Sequence, residues 1–240
     1  MMILCRENSV IDEDRMKKIC YIATVVILVA AMLFCGCSKG NKFEMSGGQY
    51  VDKDSGIIYN AAPACYEPIA VGEELYGTLK KAELYKIEGA DPEKWLCEVN
   101  GTVFYSNDIT LPTLGQLNIS YAEVVLEDTV LVKITDSAVI SGIVNAYENG
   151  SDVGRPYVAS AEDYEINWRI RMADETLGIY YILSYVEINE DHIIEGDNGE
   201  DVNLGRKFIF NRFEDNRCVV AGDVMDKYSA EFRELSDNAE

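Results

Sequence analysis

The sequence predicts an α+β fold, β-rich, in which an antiparallel β-sheet meander carries a few packed helices. Three observations point there. Tyr164, Ile166, Trp168, Ile170 and Met172 alternate with Glu165, Asn167, Arg169 and Arg171, the period-two pattern of a strand with one wet face. Residues 177–188 are apolar on both alternations: Ile179, Tyr181, Leu183 and Tyr185 lie on one side, Tyr180, Ile182, Val186 and Ile188 on the other. That strand needs a cover on both faces. Behind Asp136, a helix-capping residue, Val139, Ile140, Ile143, Val144 and Tyr147 recur at the spacing of one helix face.

The remaining elements follow in chain order. Residues 49–51 and 57–59 are β-formers flanking an Asp/Ser/Gly cluster, which reads as a hairpin. Residues 82–87 alternate as a half-buried strand does. Asp91 followed by Pro92 reads as the cap and first position of a short helix over 91–96. Asn100 and Gly101 then turn the chain into a strand at 102–105. Two apolar bursts, 124–126 and 130–132, are broken by Glu127 and Asp128 and make one or two strands. After the helix at 136–148, Asn149 and Gly150 supply a stop. Lys207 to Phe210 and Cys218 to Val220 pair across a turn at 213–216, and a last helix is expected from Asp223, with Val224, Met225, Tyr228, Phe232 and Leu235 on one stripe. Short turns make these strands antiparallel neighbours, so the second half reads as helix, four-stranded meander, helix. One of the two helices is expected to lie over Tyr180, Ile182 and Val186, because each amphipathic helix needs an apolar surface to bury against.

Residues 19–35 carry no charge and follow Arg15, Lys17 and Lys18, which gives the basic and apolar regions of a secretory signal. The acids Glu7, Asp12, Glu13 and Asp14 fit no such region, so Met16 is read as the true start. The run ends in Leu33-Phe34-Cys35-Gly36-Cys37-Ser38, which resembles the lipobox of bacterial prolipoproteins: a small residue, here Gly36, precedes the lipid-modified cysteine, here Cys37. Phe34 and Cys35 depart from the Leu and the small residue usual at those two positions. The resemblance implies export, cleavage after Gly36, and anchoring to the outer face of the cell membrane by lipid on Cys37. The alternative is an uncleaved signal anchor, for which the apolar run is short of the roughly 20 residues a spanning helix wants. The chain then divides into a leader at 1–36, the lipidated cysteine with a flexible tether at 37–48, and a single extracytoplasmic domain at 49–240, with 149–156 as the one point of subdivision. A tether of that length holds a domain on the order of 20 Å from the lipid.

Four of the 21 basic and four of the 42 acidic residues precede Cys37, leaving 17 against 38, so the exported part alone carries the net charge of −21. Such a surface repels phosphates, which makes nucleic acid the least expected partner. Of the seven cysteines only Cys65, Cys97 and Cys218 remain after the leader and Cys37, allowing at most one disulfide and suggesting neither zinc nor a redox dithiol. The lone histidine, His192, reads as a surface residue and excludes mechanisms that need two imidazoles. There is no Walker loop and no S-x-x-K, and no catalytic, cofactor or metal residue is assigned. The acids Glu187, Glu190, Asp191, Glu195, Asp197, Glu200 and Asp201 crowd one loop without the order of a calcium site and read as a solvated loop. Fourteen tyrosines follow Cys37 with Trp95 and Trp168, a content that suits strands first and recognition second.

These features favour a non-enzymatic binding or interaction module displayed outside the membrane, with protein or a cell-wall component as partner. A carboxylate-based envelope hydrolase acting on cell-wall sugar or peptide, and an accessory subunit of a membrane complex, are the alternatives. The anchor has a direct test: Cys37→Ala is expected to abolish both lipid labelling and signal-peptide cleavage, and unchanged labelling and size would remove the assignment.

Overall fold

The computed structural model describes residues 40–158, 160–196, 198–213 and 217–237. The leader and Cys37 lie outside them. The described residues hold sixteen strands and two α-helices, so the protein is β-rich with mainly antiparallel sheets.

Seven strands close into a barrel: β1 (Asn41–Ser46), β2 (Gln49–Asp52), β3 (Ile58–Ala61), β5 (Val71–Leu79), β6 (Ala82–Ile87), β7 (Trp95–Glu98) and β8 (Val103–Ser106), in the order β1-β2-β3-β8-β7-β6-β5. All its pairs are antiparallel except the closing one, where Asn41 and Lys42 run parallel beside Gly77 and Thr78. Gly77 is required there, because the Phe43 ring and the Asn41 carbonyl fill the space a Cβ would take. Phe43, Tyr59, Leu84, Leu96 and Phe104 fill the interior. Asp52 ties the rim. Fully buried, it accepts from Asn41 Nδ2 at 2.7 Å, from Ser55 Oγ at 2.8 Å and from the Asp54 amide at 2.9 Å. Burial alone would raise its pKa, but these donors outweigh it and hold the carboxyl below the usual range.

β1 corrects the expected tether. Asn41 to Ser46 is strand with Phe43 its single buried residue, 5% exposed; Met45, on the same alternation, stays 60% exposed, and two apolar positions among Asn, Lys, Glu and Ser make too short a pattern to read. The expected helix at 91–96 is also corrected. Asp91 does hold the Glu93 amide, but after a single turn Trp95, Leu96 and Cys97 enter β7, all buried: Leu96 faces the barrel interior while Trp95 and Cys97 face the main core. β5 was not anticipated at all.

The second sheet has the order β10-β9-β11-β12-β15-β16, from β9 (Tyr121–Leu126), β10 (Thr129–Ile134), β11 (Tyr164–Asp174), β12 (Ile179–Ile188), β15 (Lys207–Phe210) and β16 (Cys218–Val220). The expected neighbours β11, β12, β15 and β16 are adjacent. The acidic loop between β12 and β15 carries a small separate hairpin, β13 (Ile193–Glu195) and β14 (Asp201–Asn203). From the barrel side, β4 (Tyr66–Pro68) pairs with residues 179–181 of β12, and the Ile182 amide donates to the Cys65 carbonyl at 2.7 Å. That short strand welds the barrel to the sheet.

Helix α1 (Ser137–Asn149) begins where its cap residue was read: Asp136 accepts from the Ala138 amide at 2.8 Å. Helix α2 (Asp226–Asp237) starts three residues later than expected, though Met225 before it is fully buried. Both helices cover the face bearing Ile166, Trp168, Ile170, Tyr181, Leu183 and Tyr185. The expected helix over Tyr180, Ile182 and Val186 is therefore wrong. Those side chains are buried, but by chain without helix: Ile69 packs beside Tyr180 and Ile182, while Val153, Val158 and Leu204 pack on Val186, Phe208 and Phe210. Residues 149–156, read as a point of subdivision, thus lie across the sheet, fixed by Asp152 accepting from the Cys218 amide and by Val153 donating to the Cys218 carbonyl.

Trp168 packs in the core as its alternation implies, 2% exposed, with Phe232 of α2 edge-on at 5.4 Å and Tyr185 at 5.7 Å. Trp168→Ala is expected to cost about 3–5 kcal/mol, read as a lowered denaturant midpoint. For Asp52 the depressed pKa fixes the sign: its contribution is complete above the unfolded carboxyl value of about 4 and is lost as pH falls through the lower folded value. Asp52→Asn is expected to cost on the order of 1–3 kcal/mol at neutral pH, and its gap from the parent should narrow as melting is followed from about pH 5 downward. A gap independent of pH would show that the ionised carboxylate is not what the barrel rim uses.

Candidate functional site

The alternation of β11 places Arg169 and Arg171 on the sheet face away from the helices. Both are half-buried, and both turn toward one acid. Arg169 Nη1 lies 3.7 Å from Glu67 Oε1, and Arg171 Nε lies 3.4 Å from Glu67 Oε2, so a single carboxylate from β4 bridges two guanidinium groups. Arg169 also donates to the Glu127 carbonyl at 2.9 Å, with Asp128 at 3.7 Å. Among the described residues, buried Arg171 Nε has no hydrogen-bond partner, since its contact with Glu67 is an ion pair without the geometry of one. The Arg171 guanidinium stands 5.6 Å from the Tyr180 ring.

Tyr180 is 7% exposed and donates to Glu123 at 3.1 Å, with the Tyr121 hydroxyl 3.2 Å away. Burial, followed by the Tyr121 bond and the charge of Glu123, pushes its hydroxyl well above the usual pKa, so it stays a proton donor. Lys133 lies over the Tyr121 ring at 3.4 Å.

Two cavities meet on this face. One, of about 480 Å³, runs from Ala62, Ala64 and the β7–β8 turn at Val99 to Thr102 across Glu67 to the two arginines. The other, of about 420 Å³, continues past Asn167, Ile182 and Ser184 to Arg212. They share Arg169 and Phe213, and together form a groove between barrel and sheet. Phe213 and Val99 are 49% and 77% exposed, large apolar side chains standing in solvent at its lips.

Elsewhere the buried carboxylates Asp52, Asp174 and Glu187 are occupied by structure. Glu187, buried, accepts from Tyr185 at 2.5 Å and pairs with Arg233, which also reaches Glu165, so α2 is tied to β11 and β12 by charge. Of the acids read as one solvated loop, Glu187 is instead a buried residue of β12 and Asp197 lies outside the described residues; Glu190, Asp191, Glu195, Glu200 and Asp201 are exposed, and no group of three or more His, Cys, Asp or Glu side chains converges among the described residues. His192 is half-buried rather than solvated, its ring edge-on to Phe208 at 5.7 Å. Cys65, Cys97 and Cys218 are buried, and burial pushes the Cys97 thiol up to about 11 and the Cys218 thiol up to about 12.

Cys37, the one site residue assigned from sequence, lies outside the described residues. Sequence reasoning had Arg169 and Arg171 as the wet face of a strand but not as the floor of a groove. Glu67 and Phe213 were missed: neither sits in a periodic pattern, and only the fold brings them to β11. No protein family, no curated protein and no solved structure matches this chain.

Proposed function

We propose that the protein is a non-enzymatic binding module held at the outer face of the cell membrane by lipid on Cys37, and that the groove between barrel and sheet is where its ligand sits. The domain is read as α+β, with the helices on one face of the second sheet and the groove on the other. The observation that carries the binding reading is the junction of the two cavities at Arg169 and Phe213: half-buried cations form the floor and exposed apolar side chains form the lips. Concave, partly apolar sites with a few convergent polar groups are what small ligands and peptide segments use. The hydrolase reading draws nothing from the acids nearby, since Glu67 is held between two arginines and Glu123 by Tyr180.

With β1 beginning at Asn41, Ser38, Lys39 and Gly40 are all that separate the proposed lipid from the fold. Fully extended, that interval reaches about 14 Å, so the barrel stands close to the bilayer and ligands of the envelope lie within reach. The surface charge leaves nucleic acid out of the proposal.

A photoreactive amino acid placed at Phe213 and irradiated in intact cells tests the reading. Adducts are expected at Phe213 and not at Tyr157, which is 89% exposed on the same domain and serves as the control position. Equal labelling at both, or none at either, would remove the groove as a binding site.

A further inference from the structure

We infer that the groove receives the free C-terminal carboxylate of a short peptide, seated between Arg169 and Arg171, an assignment that rests on the binding role proposed for this groove. Two residues apart on one strand face, the arginines stand roughly 7 Å from each other at the backbone, a spacing that lets one carboxylate answer both. Glu67 already stands in that place, one oxygen toward each guanidinium, at 3.7 and 3.4 Å. These are ion-pair distances without hydrogen-bond geometry, and Arg171 Nε is buried with no hydrogen-bond partner among the described residues. A ligand carboxylate entering from the groove can accept hydrogen bonds from the guanidinium Nη groups that face it, which Glu67, reaching across from β4 at ion-pair distance, does not.

The charge balance of the groove tolerates an anion. Arg169, Arg171 and Arg212 offset Glu67, Glu127 and Asp128, so the groove lining is neutral on a chain whose net charge is −21. A neutral lining repels an anion less than a surface carrying the chain's average negative charge does. A peptide is favoured over a free small anion by what lies beyond the arginines. Asn100, Thr102, Asn167 and Ser184 line the two cavities with amides and hydroxyls, which suit a peptide backbone, and Phe213 offers an apolar platform between them. The two volumes meeting at Arg169 are of a size for several residues rather than one ion.

The test is calorimetric titration of the full-length protein in detergent with trialanine, with trialanine amide, and with acetate. Trialanine is expected to bind, with amidation weakening it by about tenfold or more and acetate weaker still. Arg169→Gln should erase the preference for the free acid while leaving the amide unchanged. Arg212→Gln, at an exposed position, should weaken trialanine more modestly. Equal binding of acid and amide, acetate binding as well as the peptide, or no binding of trialanine at millimolar concentration would each overturn the assignment. If adducts at Phe213 persist while the carboxylate preference is absent, the ligand class alone has failed; if both are absent, the binding role of the groove has failed with it.

Discussion

Strand β12 is the constraint on which the rest of the structure depends. All ten of its residues are buried, so it can exist only if both faces of its sheet are covered and both of its edges are paired. β11 lies along one edge, and β15 and β4 share the other. One face is covered by helices, the other by Ile69, the 150–158 stretch and Leu204. Each cover comes from a different part of the chain. The barrel is thereby committed to the sheet: β4, which leads out of β3 and back into β5, is also the strand that finishes the β12 edge. The Arg233 bond to buried Glu187 does the same for α2, since a carboxylate at that depth is tolerable only when paired.

What was legible in the sequence was whatever repeats with a period. The alternation through Trp168, the doubly apolar run behind it and the capped helix at Asp136 all appear where they were read, because in each a single face is buried over many residues and the pattern accumulates. Of the barrel, strands β2, β3, β6 and β8 were read, but its closure was illegible for the opposite reason. Its strands are mostly four to six residues long, several have one or two inward positions, and closure depends on Gly77, where the absence of a side chain is the signal. Trp95 misled for a related cause: Asp91 and Pro92 do begin a turn, but a strand buried on both sides follows at once, and a short apolar run does not distinguish helix from strand.

The candidate site was half legible. Arg169 and Arg171 declared themselves as polar residues on a strand adjoining one that has no polar face, and that mismatch between neighbours was the only sequence-level sign of a site. The partners were not legible, because Glu67 lies about a hundred residues earlier in a three-residue strand and Phe213 sits in the turn between β15 and β16. Contacts at that separation follow from topology, which no local pattern encodes. The same holds for the missing helix cover: two amphipathic helices implied two apolar surfaces, but both pack on one face of a single sheet, and irregular chain is left to cover the other.

That division explains why a groove persists where it does. On the face away from the helices, irregular chain can bury the side chains of β12 and β15 because they are apolar, apart from Ser184. It cannot continue across β11, because covering Arg169 and Arg171 would strip water from two guanidinium groups for which only one shared carboxylate is at hand. Cover therefore advances from Ile69 at one end and from the 150–158 stretch at the other, and stops on either side of the arginines. A packing defect in a core would be apolar throughout and would collapse or fill. This cavity has charge on its floor and apolar groups at its rim, and it stays open because closing it costs more than leaving it wet. A ligand that brings its own counter-charge removes that cost, which makes the open stretch of β11 the one place on this face where binding can complete the cover that folding leaves unfinished.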